Sequence, residues 1–253
     1  MYFLLLGIVQ GLTEFLPVSS SGHLVILDKL FSIQTGNFLF VSIILHVATL
    51  VSVVIVFWKD IWMLIKHPFD KNTLQIILAC LPTCIIVVLF KSFFESAYMG
   101  TYLGVCFMVT SIILMITYFV SQKQNVIYKQ NGYTKSFIVG VVQGFAVLPG
   151  ISRSGSTISA GVLLGLEPSK ATNFSFVLSV PIILASLVYE IYSSIKMSAV
   201  VFTSNVLYLV LAFCVATICG VFAIRIMKKL AKTKKYYIFS IYLAILAIIV
   251  CFI

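Results

Sequence analysis

The sequence predicts an all-α polytopic membrane protein: six transmembrane helices plus two re-entrant helix–loop–helix hairpins, arranged as an inverted-topology repeat. Three observations carry this. The chain is 61% hydrophobic and only 9% charged, whereas a soluble domain carries about 25% charged residues. So little polar surface cannot cover the apolar remainder in water, so the bilayer must be the solvent. The apolar residues also gather in runs about one bilayer thick, and a serine-rich polar motif occurs twice at an offset of 133 residues. The 253 residues are read as one membrane domain, 1–253.

In chain order, the start is apolar from Met1 to Leu6 without a basic lead-in or cleavage site, and is read as mature structure. Residues 2–15 lead into Pro17 and a Ser-Ser-Ser-Gly, and an apolar arm 24–33 follows. Neither arm reaches the roughly 20 residues that a span needs, so the pair is predicted to be a re-entrant hairpin. Its polar tip survives at membrane depth only against protein or a wet cavity. Three runs of spanning length come next: 38–58, 73–90 and 99–121. The arms 137–147 and 157–166 flank Leu148-Pro149-Gly150 and a Ser-Arg-Ser-Gly, which predicts a second hairpin. Runs 171–189, 197–224 and 236–253 complete the six, the fifth starting late, near Asn205. Pro82 and Pro181 fall inside spans and should kink them, which a bundle tolerates. The six cysteines all lie in apolar runs and read as small hydrophobes.

The hairpins are copies. Gly7-Ile-Val-Gln10-Gly11 matches Gly140-Val-Val-Gln143-Gly144, and Ser19-Ser-Ser-Gly22 matches Ser152-Arg-Ser-Gly155. Each copy is followed by three spans, giving half-repeats 3–121 and 136–253. Three is odd, so the second half must lie upside down relative to the first. Charge tests this. With segments 59–71, 122–135, 167–170 and 225–235 inside, 13 of the 17 basic residues are cytoplasmic, as the positive-inside rule requires. One hairpin then enters from each face. The net charge of +10 belongs to these membrane loops; no nucleic-acid motif accompanies it.

Ionisable groups at membrane depth are functional by default. Glu14, His23, Arg153 and His46 are the candidates. Gln10 and Glu14 share a helix face. Pro17 ends that helix, and Ser19, Ser20, Ser21 and His23 open the next one, whose free N–H groups suit a phosphate. The hydroxyls supply donors and a nucleophile, and His23 a base. The second tip offers Arg153, the side chain best shaped to clamp phosphate oxygens, among Ser152, Ser154 and Thr157. Glu14 and His23 align with Val147 and Ser156, and Arg153 with Ser20. This asymmetry points to one composite site, with acid–base groups on one tip and the phosphate clamp on the other. The bland alternative is that the serines cap helices and that Glu14 and Arg153 form a structural pair. His46 is read as a structural hydrogen-bonding residue, and Glu95, Glu167 and Glu190 as solvated span ends.

At Gln10-Gly-Leu-Thr-Glu14-Phe-Leu-Pro-Val-Ser-Ser-Ser-Gly-His23 and Leu148-Pro-Gly-Ile-Ser-Arg-Ser-Gly155 the sequence resembles the undecaprenyl-diphosphatase family, also called bacitracin-resistance proteins. The resemblance implies hydrolysis of undecaprenyl diphosphate to undecaprenyl phosphate and inorganic phosphate. That reaction recycles the lipid carrier for peptidoglycan synthesis and confers bacitracin resistance. It further implies a multi-pass protein of the bacterial plasma membrane, a polyprenyl diphosphate lipid as partner, and a divalent cation, Mg²⁺ or Ca²⁺. Glu14, Ser20, His23 and Arg153 match the family's functional positions, and Ser152 and Thr157 its polar positions near the arginine. Many members carry a second glutamate where this chain has Gln10; the resemblance then implies Glu14 as the metal-binding carboxylate, with Gln10 supplying one neutral oxygen in place of a second carboxylate. Gln10 and its twin Gln143 are assigned supporting roles. Ser20 is expected to attack phosphorus with His23 as base, Glu14 orienting His23 or holding the cation; the rival route has His23 activate water.

Two other classes share features with this sequence. Type 2 phosphatidic acid phosphatases also use Ser-Gly-His, but their later histidine and aspartate slots hold Ser159 and Leu163 here. A polyprenyl-phosphate flippase would use the same inverted repeat without releasing phosphate. Self-association is left open.

Overall fold

The computed structural model describes residues 2–31, 35–97, 100, 102–123, 130–196 and 206–252. Among them are eleven α-helices and no strand: α1 (Tyr2–Phe15), α2 (Ser20–Phe31), α3 (Thr35–Lys66), α4 (Lys71–Leu89), α5 (Lys91–Ala97), α6 (Leu103–Gln122), α7 (Tyr133–Phe145), α8 (Arg153–Leu163), α9 (Pro168–Lys196), α10 (Val206–Thr233) and α11 (Tyr237–Val250). Five helical stretches are long and apolar enough to cross a membrane: Val41–Lys66, Lys71–Leu89, Leu103–Gln122, Pro168–Tyr192 and Val206–Thr233. They correspond to the first five expected spans, and the chain is a multi-pass membrane protein. The stretch 197–205, where the fifth run begins, lies outside the described residues.

Three details differ from the expectation. The sixth apolar run forms only the 14-residue α11, about 21 Å long at 1.5 Å per residue against a hydrocarbon core of about 30 Å. Pro82 and Pro181 sit within continuous helices, while the departure from helical geometry falls at Phe57 (φ −113°, ψ 25°). Residues 91–97 form a short helix, α5, pinned by the Lys91–Glu95 pair at 3.6 Å and by a hydrogen bond from Tyr189 to Glu95 at 3.1 Å.

The surface is apolar, with Val88, Val188, Leu207 and Ile218 each about 70% exposed. In water such continuous faces would aggregate; in a bilayer they meet lipid tails. The interior is where the hydroxyls go. Thr49, Ser52, Thr83, Thr110, Ser111, Thr117, Thr172, Ser175 and Ser179 are all buried. Lipid tails are as apolar as leucine, so helices in membranes associate through close packing of small residues and hydrogen bonds across helices. Ser111 and Ser240 show the second device. Each hydroxyl donates to the other residue's carbonyl, at 2.7 Å in both directions, and so ties α6 to α11.

Close packing of glycines fixes the hairpin arms. α1 lies along α10, and α7 along α4. A Cβ on Gly7 would come 2.6 Å from the Ala212 carbonyl oxygen, and one on Gly140 would come 2.0 Å from that of Ala79. These are the same crossing made twice, since Gly7 to Gly140 and Ala79 to Ala212 are both steps of 133 residues. Phe15, Phe57 and Phe176 then pack ring against ring where α1, α3 and α9 meet. The ends of α1 and α7 are thereby held inside the bundle.

Candidate active site

Each hairpin turns through a left-handed backbone position. In the second tip this is Gly150 (φ +91°), which has no Cβ to clash; in the first it is Ser19 (φ +68°). A non-glycine residue there is strained and persists only where its surroundings hold it. Ser19 is held from both tips. Its Oγ accepts from the Gly22 N–H at 3.4 Å, capping α2, and from the Gly150 N–H of the second tip at 3.0 Å. In the second tip Ser152 caps α8 by accepting from the Gly155 N–H at 3.0 Å. Thr110 of α6 holds that turn, donating to the Gly150 carbonyl at 3.0 Å and accepting from the Ser152 N–H at 3.1 Å.

The tips interlock through two further bonds. Ser154 Oγ donates to the Leu16 carbonyl at 3.1 Å, and the Arg153 guanidinium pairs with Glu14. Around this pair is a cavity of about 40 Å³ lined by Thr13, Glu14, Ser19, Ser20, Ser21, Ala146, Ile151, Ser152 and Arg153. Both tips contribute, so the expected convergence of the two motifs is present.

Glu14 is the hub. Its Oε2 accepts from Ser20 Oγ at 2.6 Å and from Gln10 Nε2 at 3.0 Å, and its Oε1 accepts from Arg153 Nη2. Its side chain is 7% exposed. A carboxylate that deep is tolerable because a guanidinium neutralises it and three donors satisfy its oxygens. The Ser20 hydroxyl is thus already aimed at a carboxylate, that of Glu14.

His23 is placed differently from the expectation. Its Nδ1 lies 2.7 Å from the Ser19 carbonyl and its Nε2 lies 2.7 Å from the Tyr242 hydroxyl of α11. Neither ring nitrogen reaches Ser20 or Glu14, and His23 does not line the cavity. Among the other nominated residues, Ser19, Ser20, Ser21 and Ser152 line the cavity. Ser154 and Thr157 stand behind it, the latter bonded to Ser175 Oγ at 2.6 Å and to the Arg153 carbonyl at 2.8 Å. The glutamine twins diverge: Gln10 serves Glu14, while Gln143 donates to Thr83 Oγ1 at 3.1 Å. His46 bonds the Ser42 carbonyl one turn back at 2.9 Å, in keeping with a structural role. Glu95 is exposed, whereas Glu190, expected in solvent, is half-buried within α9.

Sequence reasoning missed Thr13, Thr110 and Tyr242. Each is one more hydroxyl in an apolar run, and nothing in the spacing marks it.

The residues do not fit a protein-made cation cage. Mg²⁺ takes six oxygens and Ca²⁺ six to eight. Here one carboxylate is offered, already engaged by arginine, and among the described residues no three His, Cys, Asp or Glu side chains gather. Gln10 Oε1, buried and without a hydrogen-bond partner, is a spare oxygen beside it.

Comparison with known proteins places this geometry. The chain is 39% identical over 246 residues to an undecaprenyl-diphosphatase of Carboxydothermus hydrogenoformans, covering 97% of this chain and 94% of that protein. It is 39% identical over 258 residues to one of Alkaliphilus metalliredigens, covering 94% and 93%. It is 37% identical over 257 residues to one of Bacteroides fragilis, covering 97% and 95%. A single family model spans both hairpins and the helices after each, residues 3–249, and the chain belongs to that family, the bacitracin resistance protein BacA family.

Proposed function

We propose that this chain is an undecaprenyl-diphosphatase: it hydrolyses undecaprenyl diphosphate to undecaprenyl phosphate and inorganic phosphate within the membrane, and so confers bacitracin resistance. The observation that carries the reading is the meeting of Ser20, Glu14 and Arg153 from two different hairpin tips around one polar cavity in an apolar bundle. Lipid association alone would not require a nucleophile, a base and a phosphate clamp in contact.

The working mechanism uses that contact. The terminal phosphate draws Arg153 off Glu14, because a diphosphate offers the guanidinium two or more anionic oxygens. Glu14, released from its counter-charge, takes the Ser20 proton across the 2.6 Å bond. Ser20 Oγ bonds to the terminal phosphorus and the bridging P–O bond breaks, releasing undecaprenyl phosphate. Water then cleaves the phosphoserine to give inorganic phosphate. Arg153, the Ser21 and Ser152 hydroxyls and the N–H groups at the start of α2 stabilise the charge on the transferring phosphoryl group. His23 acts through the tip rather than as the base for Ser20. A divalent cation would reach the site on the diphosphate, whose oxygens supply most of its ligands, with Glu14 as the one protein carboxylate.

The site belongs to an inverted repeat in the plasma membrane of a bacterium, with half-repeats 3–121 and 136–253 and one re-entrant hairpin from each face. The paired Gly7–Ala212 and Gly140–Ala79 crossings support this, since each half receives the other's hairpin in the same way. So does the reciprocal Ser111–Ser240 bond on the seam between them.

The test is phosphate release from undecaprenyl diphosphate by the purified protein in detergent, beside Ser20→Ala, Glu14→Ala and Arg153→Ala. Release by the parent and its loss in all three is the expected result. A folded parent that binds the lipid but releases no phosphate, and instead moves it between leaflets of a vesicle, would favour the flippase.

A further inference from the structure

The Tyr242 hydroxyl has no role in the mechanism above, yet its position is specific. α11 presents Ile241, Ile245, Ile248 and Ile249 outward, and Tyr242 itself is 44% exposed. A hydroxyl on such a face has no water to bond with and must find a protein partner. It finds His23 Nε2, 219 residues away in the chain, at 2.7 Å.

The other end of the ring fixes the direction of this bond. His23 Nδ1 faces the Ser19 carbonyl at 2.7 Å. A carbonyl only accepts, so Nδ1 carries the proton. In the neutral ring Nε2 is then the bare nitrogen, and Tyr242 donates to it. Phe107 of α6 closes the ring's flank edge-on, with centroids 5.7 Å apart. The imidazole is held on three sides.

What it holds in turn is Ser19. The Ser19 carbonyl accepts from both the His23 ring and the His23 backbone N–H, the latter at 3.2 Å. Ser19 Oγ accepts from Gly150 across the interface between tips. A continuous chain of hydrogen bonds therefore runs from α11 through His23 and Ser19 to the second hairpin. Ser19 is the left-handed residue immediately before Ser20.

We propose that Tyr242 is a positioning residue: it fixes His23 as the Nδ1–H tautomer and, through His23, holds the strained Ser19 backbone that presents Ser20 to Glu14. The catalytic consequence rests on the phosphatase reading; the tautomer does not.

The test uses full-length protein in detergent, labelled with ¹⁵N-histidine, and its Tyr242→Phe variant, which keeps the ring and removes only the hydroxyl. With three histidines in the chain, a His23→Gln sample assigns the signal. In the parent, His23 should show a protonated Nδ1 and a hydrogen-bonded bare Nε2; in Tyr242→Phe the Nε2 signal should shift to that of an unbonded nitrogen. The kcat for phosphate release should fall about tenfold, the scale of one lost hydrogen bond to a buried partner, with KM within about twofold. Adding Tyr242→Phe to His23→Gln should cost nothing more, because the effect passes through His23. Tyr237→Phe on the same helix, whose ring packs on Tyr118, should leave kcat unchanged and controls for loss of packing. An unchanged ¹⁵N pattern, full additivity with His23→Gln, or a rise in KM at constant kcat would overturn the proposal, the last by making Tyr242 a lipid contact. A parent that releases no phosphate sinks the phosphatase reading and the catalytic consequence with it, while the ¹⁵N pattern still decides the tautomer.

Discussion

At the scale of single residues, the site turns on which group pairs with which. Arg153 occupies Glu14, and Glu14 occupies Ser20. Arg153→Lys keeps the charge but loses the planar fork, so it should not restore function. We expect kcat for phosphate release to fall about 10²-fold in Arg153→Lys, comparable to losing one transition-state donor. Near-parental turnover in Arg153→Lys would mean that charge alone suffices. Glu14→Gln tests the base. It retains an acceptor for Ser20 but cannot take the proton, so release should fall at least as far while the lipid still binds. Most of these residues were legible beforehand, because Glu14, Ser20 and Arg153 stand in motifs whose residue types already suit phosphoryl chemistry. The partnership was not. His23 follows the serines by a few positions and invites assignment as their base, yet on a helix a residue four positions after Ser19 lies over Ser19's own carbonyl, and that is what His23 bonds. Tyr242 was invisible because a hydrogen bond spanning 219 residues leaves no local trace.

At the scale of elements, the hairpins are placed by glycine. The twin motifs begin with Gly7 and Gly140, and spacing alone marks them as part of a repeat. What spacing does not disclose is the partner, since Ala79 and Ala212 are ordinary alanines in apolar runs. Only the packed structure shows that each glycine meets the same position in the opposite half. Gly140→Val would drive side-chain carbons into the Ala79 backbone, where nothing flexible can yield. Overpacking of this kind costs about 1–3 kcal/mol or more. We expect a lower thermal midpoint in detergent for Gly140→Val and for Gly7→Val. Gly132→Ala, whose added Cβ would meet nothing within 4 Å, should match the parent. Equal midpoints for all three would mean that the crossings are not close-packed in the protein.

For the whole molecule, the question is how an apolar bundle keeps a carboxylate and a guanidinium at its centre. The two tips supply opposite charges, so the site is electrically closed within the protein, and the pairing with its added hydrogen bonds offsets the cost of burying each charge. This has a consequence for the cation that the family resemblance implies. A site already neutralised by arginine has little use for a divalent ion until a diphosphate brings new negative charge. Mg²⁺ or Ca²⁺ added to the purified protein should therefore give no heat of binding in calorimetry at millimolar concentration. The same titration with a non-hydrolysable polyprenyl diphosphate analogue present should give a clear isotherm, and Glu14→Gln should weaken it. Tight binding of the cation to the lipid-free protein would show instead that Glu14 leaves Arg153 without help from substrate, and that Gln10 Oε1, the orphaned acceptor beside it, completes a resident site. The two outcomes differ in what opens the ion pair: the phosphate that needs the arginine, or the metal that needs the carboxylate.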